Sequence, residues 1–398
     1  QSGMQESAGA ILSQLRESVP DSPRVRTAWA KWLLQTGEAE IAVTEFQGVA
    51  SSLSSQRLFA SGGYARDLFL AKLAVVRTKP LSSPEWGEVD QMLRQIEQSP
   101  SIPDQDKVLV KARYLEARGQ TEEAVKLIEH VVAQSEASPN LRLELAFLLA
   151  RHERAAEAVA VLRTAREKGE LRGEILSAMV ELADMLSEDE RKEVIATVRR
   201  EIQDCPPTER KPVLRSLARR HLRIGETSQA ESLWEELARM DPNDTEPARV
   251  LMELACQRGD FPAAQRWLQE IQRIDGNKGH VASLSAALLM VYQSMQKTLS
   301  PADRARLLSR AKEELAVLER RLPYWPDVLR LKARIALLEG RLAAAIDQYR
   351  TLERRGLLMR EGKEELARLL LLRGQHEEAQ KVLASLPLRS NDLQALKL

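Results

Sequence analysis

The sequence predicts an all-α chain, an α-solenoid of about ten helix–turn–helix repeats. Three observations carry that expectation. Turn glycines recur at a 34-residue step, as from Gly225 to Gly259 and from Gly340 to Gly374. Alanine keeps two fixed places around them, seven residues before and five after. Period-2 alternation rich in β-branched residues, the mark of a strand, is missing throughout.

The stretch Pro212–Gly276 sets the register. With Gly225 as position 15, Ala218 falls at 8, Ala230 at 20, and Trp234 and Leu237 at 24 and 27. The next unit places Met252, Gly259, Ala264, Leu268 and Ile271 at the same positions. The two helices of a hairpin pack on each other at 8 and 20, so both places favour a small side chain. One face of each hairpin is buried by its own partner helix and the other by the next unit.

Residues 1–20 read as a second helix with no first helix before it: Ala8, Leu12, Leu15 and Pro20 fit positions 20, 24, 27 and 32. Gln1-Ser2-Gly3 reads as the scar of a cleaved tag. Repeat 22–55 follows without a break, with Ala30, Gly37, Ala42, Phe46 and Val49. Residues 56–102 form a stretched unit, with helices near Leu58–Arg77 and Glu85–Gln98 joined by the breaker-rich Lys79–Pro84. Repeat 103–137 has Ala112, Gly119, Ala124, Ile128 and Val131. Repeat 138–169 has Ala146, Ala158, Leu162 and Ala165, with Glu153 in the glycine's place.

Residues 170–206 are degenerate, two helices without a clean match, and 207–243 and 244–278 are the pair that set the register. Residues 279–324 are stretched again, with helices near His280–Gln296 and Ala302–Leu322, the second capped by Ser300 with Pro301 at its first position. Repeat 325–358 has Ala333, Gly340, Ala345, Tyr349 and Leu352; repeat 359–388 has Ala367, Gly374, Ala379, Leu383 and Leu386. Residues 389–398 start another first helix, capped by Asn391. The register thus starts and stops inside a repeat, as a piece cut from a longer array would. Units should touch only their neighbours.

This pattern resembles the tetratricopeptide repeat, a 34-residue helix–turn–helix with small residues at 8 and 20 and a frequent proline at 32. Seven units match at 8, 15 and 20, apart from Met252 at 8 and Glu153 at 15. The resemblance implies a right-handed superhelix whose concave wall comes from the first helices and binds peptides or partner proteins. It also implies which positions line that wall, among them 5, 9 and 13. Position 9 gives Lys31, Arg113, Phe147, Arg219, Glu253, Arg334 and Arg368; position 5 gives Arg215, Arg249 and Arg330 among others; position 13 adds Arg223.

The wall therefore reads basic although the chain's net charge is only +1. Arginine's planar fork matches carboxylates, so an acidic protein or peptide partner is one reading. The other is a solvated face with local ion pairs to Glu246, Glu253 and Asp327. The family's carboxylate clamp for chaperone tails is not expected, because no unit has Asn at position 9.

Nothing in the sequence points to a reaction. The five histidines are scattered over separate units, the two cysteines form no metal spacing, and no phosphate-cradling glycine motif occurs. No metal, cofactor or catalytic residue is expected, and the low net charge disfavours nucleic acid. No apolar run is long enough to span a membrane. Acidic pairs such as Glu122-Glu123 and Glu377-Glu378 open second helices, where the helix dipole favours them. Trp29, Trp234 and Trp267 are expected in the core; Trp86 and Trp325, beside prolines, are expected partly exposed, with Tyr324-Trp325-Pro326 as a second contact site. The function expected is a non-enzymatic interaction scaffold, or else the scaffold part of a larger enzyme or cell-envelope export protein.

Overall fold

The computed structural model describes residues 2–36, 38–52, 62–133, 139–167, 172–322, 325–354, 357–358 and 360–384. Among these residues the secondary structure is helical, with no strand. In chain order the helices are α1 Ser2–Ser18, α2 Pro23–Thr36, α3 Ala39–Ser52, α4 Gly62–Val76, α5 Glu85–Gln98, α6 Asp104–Ala117 and α7 Thr121–Ala133. They continue with α8 Pro139–Arg151, α9 Ala155–Glu167, α10 Arg172–Leu182, α11 Glu188–Glu201, α12 Pro207–Arg223, α13 Thr227–Met240 and α14 Thr245–Arg258. The last are α15 Phe261–Asp275, α16 His280–Ser294, α17 Pro301–Arg321, α18 Pro326–Leu338, α19 Leu342–Arg354, α20 Arg360–Leu372 and α21 His376–Ala384. Gly37, Tyr324, Leu386 and the helix start read at 389–398 lie outside the described residues.

The hairpin turns are built alike, and the reason is backbone chemistry. A helix ends with carbonyls that have no partner inside it. Here a residue of positive φ reverses the chain and lets two N–H groups reach back. Gly119, at φ 79, donates to the Glu116 carbonyl at 3.0 Å, and Gln120 donates to the Leu115 carbonyl at 2.9 Å. The same pair of bonds recurs at Gly225, Gly340 and Gly374. Glu153 makes it too, at φ 63, so the residue that broke the sequence pattern keeps the turn.

Alanine packing follows the register. Within the hairpins, Ala42, Ala124, Ala158, Ala230, Ala345 and Ala379 are wholly buried, and Ala30, Ala112, Ala146, Ala218, Ala333 and Ala367 are at most 2% exposed. With one methyl at each crossing, the helices approach closely, and Phe46, Ile128, Leu162, Trp234 and Leu352 fill the space beyond. Val131 and Leu383 fit the register but are only half-buried. Ser300 caps α17 as expected, accepting from the Asp303 N–H at 3.1 Å.

The chain divides into two compact units: Gln1–Ser55 with Cys256–Leu268 and Asp275–Leu398, and Gln56–Ala255 with Gln269–Ile274. In the second unit α4, α6, α8, α10 and α12 each touch the next, which makes a row of first helices. In the first unit α16 packs on α17 and α18, and α18 to α21 continue the stack. There α1 packs on α2, where Gly9 lies so close to Trp32 that a Cβ would stand 2.2 Å from its ring. It also packs on α18, and Gln14 Nε2 donates to the Arg321 carbonyl at 3.2 Å. Units therefore do not touch only their sequence neighbours: α1 packs on α18, some three hundred residues further along the chain.

Two tryptophans correct the sequence reading. Trp86 is 3% exposed: it opens α5, meets Tyr114 edge-on and lies under the Arg118 guanidinium, 5.3 Å from its ring centre. Trp325 is 4% exposed, inserted among Leu315, Leu318 and Leu331 with His280 at its edge. Pro84 and Pro326 stand at the starts of these helices, and both indoles are buried, so Trp325 and Pro326 are core rather than contact surface. Trp29 and Trp234 are buried as expected, whereas Trp267 is half-buried.

Candidate functional site

In the second unit the wall arginines are tied to neighbouring repeats. Arg113 on α6 reaches Glu144 on α8 at 2.8 Å. Arg215 on α12 pairs with Asp244 and lies 3.1 Å from Glu246, and Arg219 donates to Glu246 at 2.7 Å. Arg223 reaches Asp184 at 2.9 Å, beside the buried Arg220 at 2.8 Å from the same carboxylate. Each of these pairs joins residues roughly one repeat apart. A further brace runs the other way: Arg151 on α8 grips Glu116 on α6 through two bonds of 2.8 and 3.0 Å. Burial raises the Glu116 pKa, but the Arg151 fork and the nearby charges of Arg113 and His152 outweigh it and leave the carboxyl below its ordinary range.

In the first unit the arrangement differs. Arg330 pairs with Asp327 at 2.5 Å and Arg368 with Glu365 at 2.6 Å, both one turn away on the same helix. Arg334 meets no carboxylate among the described residues; its guanidinium lies 4.4 Å from the Tyr292 ring centre. Lys31 is engaged within the described structure. Arg249, in the second unit, is half-buried and has no ion pair with a described residue. Of the acids named from sequence as local partners, Glu246 and Asp327 take that role.

Asp184, Glu144 and Asp244 were not singled out from sequence. Their signal is an acid about one repeat length from a wall arginine, visible only once the repeat is known to stack side by side.

One histidine is built into the packing of its hairpin. His221 is 1% exposed, between Arg199 and Glu226. Arginine can only donate, so Nε2 accepts from Arg199 at 2.9 Å and Nδ1–H donates to Glu226 at 2.5 Å. Among the described residues no cluster of His, Cys, Asp or Glu could hold a metal ion, and no helix is long and apolar enough to cross a membrane.

Stacked helical hairpins closed by positive-φ turns and laced between repeats by ion pairs define a helical-repeat protein. Residues 115–182 and 222–288 match the tetratricopeptide repeat family, so at least these segments of the chain carry tetratricopeptide repeats. No curated protein matches the chain. Similar solved structures include a tetratricopeptide repeat protein from Parabacteroides merdae, 14% identical, TM-score 0.38, covering 73% of this chain and 96% of that one. The Cut9–Hcn1 hetero-tetramer of the APC/C is 12% identical, TM-score 0.34, covering 97% and 80%. The type IV pilus biogenesis factor PilW is 12% identical, TM-score 0.31, covering 65% and 98%.

Proposed function

We propose that this chain is a non-enzymatic scaffold whose first helices hold a segment of a partner protein, and that the segment is acidic. The supporting observation is the division of labour among the wall arginines. Arg113, Arg215 and Arg219 are spent on bracing repeats, while Arg249 and Arg334 carry charge that no described carboxylate takes up. A cation already half out of water gains from an incoming carboxylate more than a fully hydrated one does.

The test is capture of partners from the source organism by wild-type protein and by Arg249→Glu and Arg368→Glu variants, compared quantitatively at low and moderate salt. Loss of a wild-type partner on reversal, with weaker capture at higher salt, supports the reading. Identical partner profiles would sink it.

A further inference from the structure

Arg334 is set apart from its neighbours by what surrounds it. Arg330, one turn earlier on α18, and Arg368 on α20 each have an acid of their own. The Arg334 guanidinium carbon lies over the Tyr292 ring at the end of α16, 4.4 Å from its centre, and Met295 Sδ stands 3.6 Å from Nη2. Met295 is 46% exposed, and Leu338, one turn on from Arg334 along α18, is 39% exposed. All of these residues belong to the first unit.

The geometry assigns different tasks to the parts. Stacking on a ring uses the flat face of the guanidinium and orients its in-plane N–H fork, which no described carboxylate takes up. Exposed apolar side chains beside that fork lose water when a ligand covers them, and a dry surrounding strengthens a charge pair. Burial raises the pKa of the Tyr349 phenol, as does Glu365, while Arg330, Arg368 and Arg334 all pull it down. Three cations thus act on one hydroxyl, and only Arg330 and Arg368 are paired with a described carboxylate.

We infer that Tyr292, Met295, Arg334 and Leu338 form a seat for a carboxylate flanked by aliphatic side chains, that is, a partner segment in which Asp or Glu stands next to leucine-like residues. The inference rests on the proposed scaffold function and specifies its ligand. The carboxylate meets the Arg334 fork, and the aliphatic neighbours cover Met295 and Leu338.

The test is fluorescence anisotropy of the full chain with a labelled, end-blocked octapeptide of alternating leucine and glutamate, and with its leucine–glutamine counterpart. The glutamate peptide should bind at least tenfold more tightly than the glutamine one. Arg334→Met, which keeps a long unbranched side chain beside Tyr292 but not the charge, should weaken glutamate-peptide binding about tenfold or more; Leu338→Ser, at an exposed position, should weaken both peptides. Equal binding of the two peptides, or of wild type and Arg334→Met, overturns the seat, as does no binding to the wild type. If the seat fails while partner capture still responds to Arg249→Glu or Arg368→Glu, the scaffold reading stands without it. If capture is also indifferent, both fall.

Discussion

Lys363 Nζ lies 3.0 Å from Glu38 Oε1, joining the turn between α2 and α3 to α20 near the other end of the sequence. Both side chains are mostly buried, 14% and 19% exposed, so the pair is less screened than a surface ion pair. Lys363→Met should leave Glu38 without its cation and cost about 1–2 kcal/mol. Urea denaturation of Lys363→Met, Glu38→Gln and the double variant checks this: the coupling energy should be clearly non-zero. Strict additivity would show that the two residues do not act together.

Glu153 occupies a turn that its neighbours give to glycine, at φ 63. An L-residue with a Cβ pays about 1 kcal/mol in that region. Glu153→Gly should therefore raise the urea midpoint, whereas Gly119→Ala and Gly225→Ala should lower it by about 1 kcal/mol each. No atom lies within 4 Å of a Cβ at either glycine, so strain of the backbone alone is measured there.

The Glu116–Arg151 brace makes stability depend on acid. Burial opposes ionisation of Glu116, but the Arg151 fork and the charges around it hold the folded pKa below the ordinary value. A lowered carboxylate pKa contributes stability that is complete above the unfolded value, about 4.3, and lost as pH falls through the folded one. Amide exchange in α6 and α8 should accelerate as pH is taken below about 4, after correction for intrinsic rates. In Glu116→Gln, protection should be lower by about 1 kcal/mol at pH 7 and should change less with acid. A variant with the wild-type pH response would remove Glu116 from the account.

Ala112 and Ala124 meet in the α6–α7 hairpin at 2% and 0% exposure. Ala124→Leu should cost about 1–3 kcal/mol, because three extra carbons have no space at the crossing. Thermal unfolding checks it, with the exposed Ala156→Leu on α9 as the control expected to change little.

The hairpins were legible because their causes are local. A positive-φ turn needs glycine, a close crossing needs alanine, and a period makes both visible in one dimension. The stretched unit was legible at Ser300 because a helix N-terminus needs a side-chain acceptor. Trp86 and Trp325 were misread because proline beside an indole signals a chain break without showing which way the ring turns. Arg113 and Arg215 were legible as wall positions, but their pairing with Glu144 and Asp244 depends on which repeat lies beside which.

The sequence by itself determined the class: helices, their 34-residue hairpins, their turns and the positions that must be small. Those features follow from steric limits within one hairpin, which each residue feels through its near neighbours in the chain. Tertiary structure alone decided which arginines are consumed and which are not. Arg219 is closed by Glu246, while Arg334 rests on Tyr292, because charge pairing depends on distance in space and two positions of one register can face different surroundings. The contact of α1 with α18 was decided there as well, since no period in the sequence links residues at opposite ends of it.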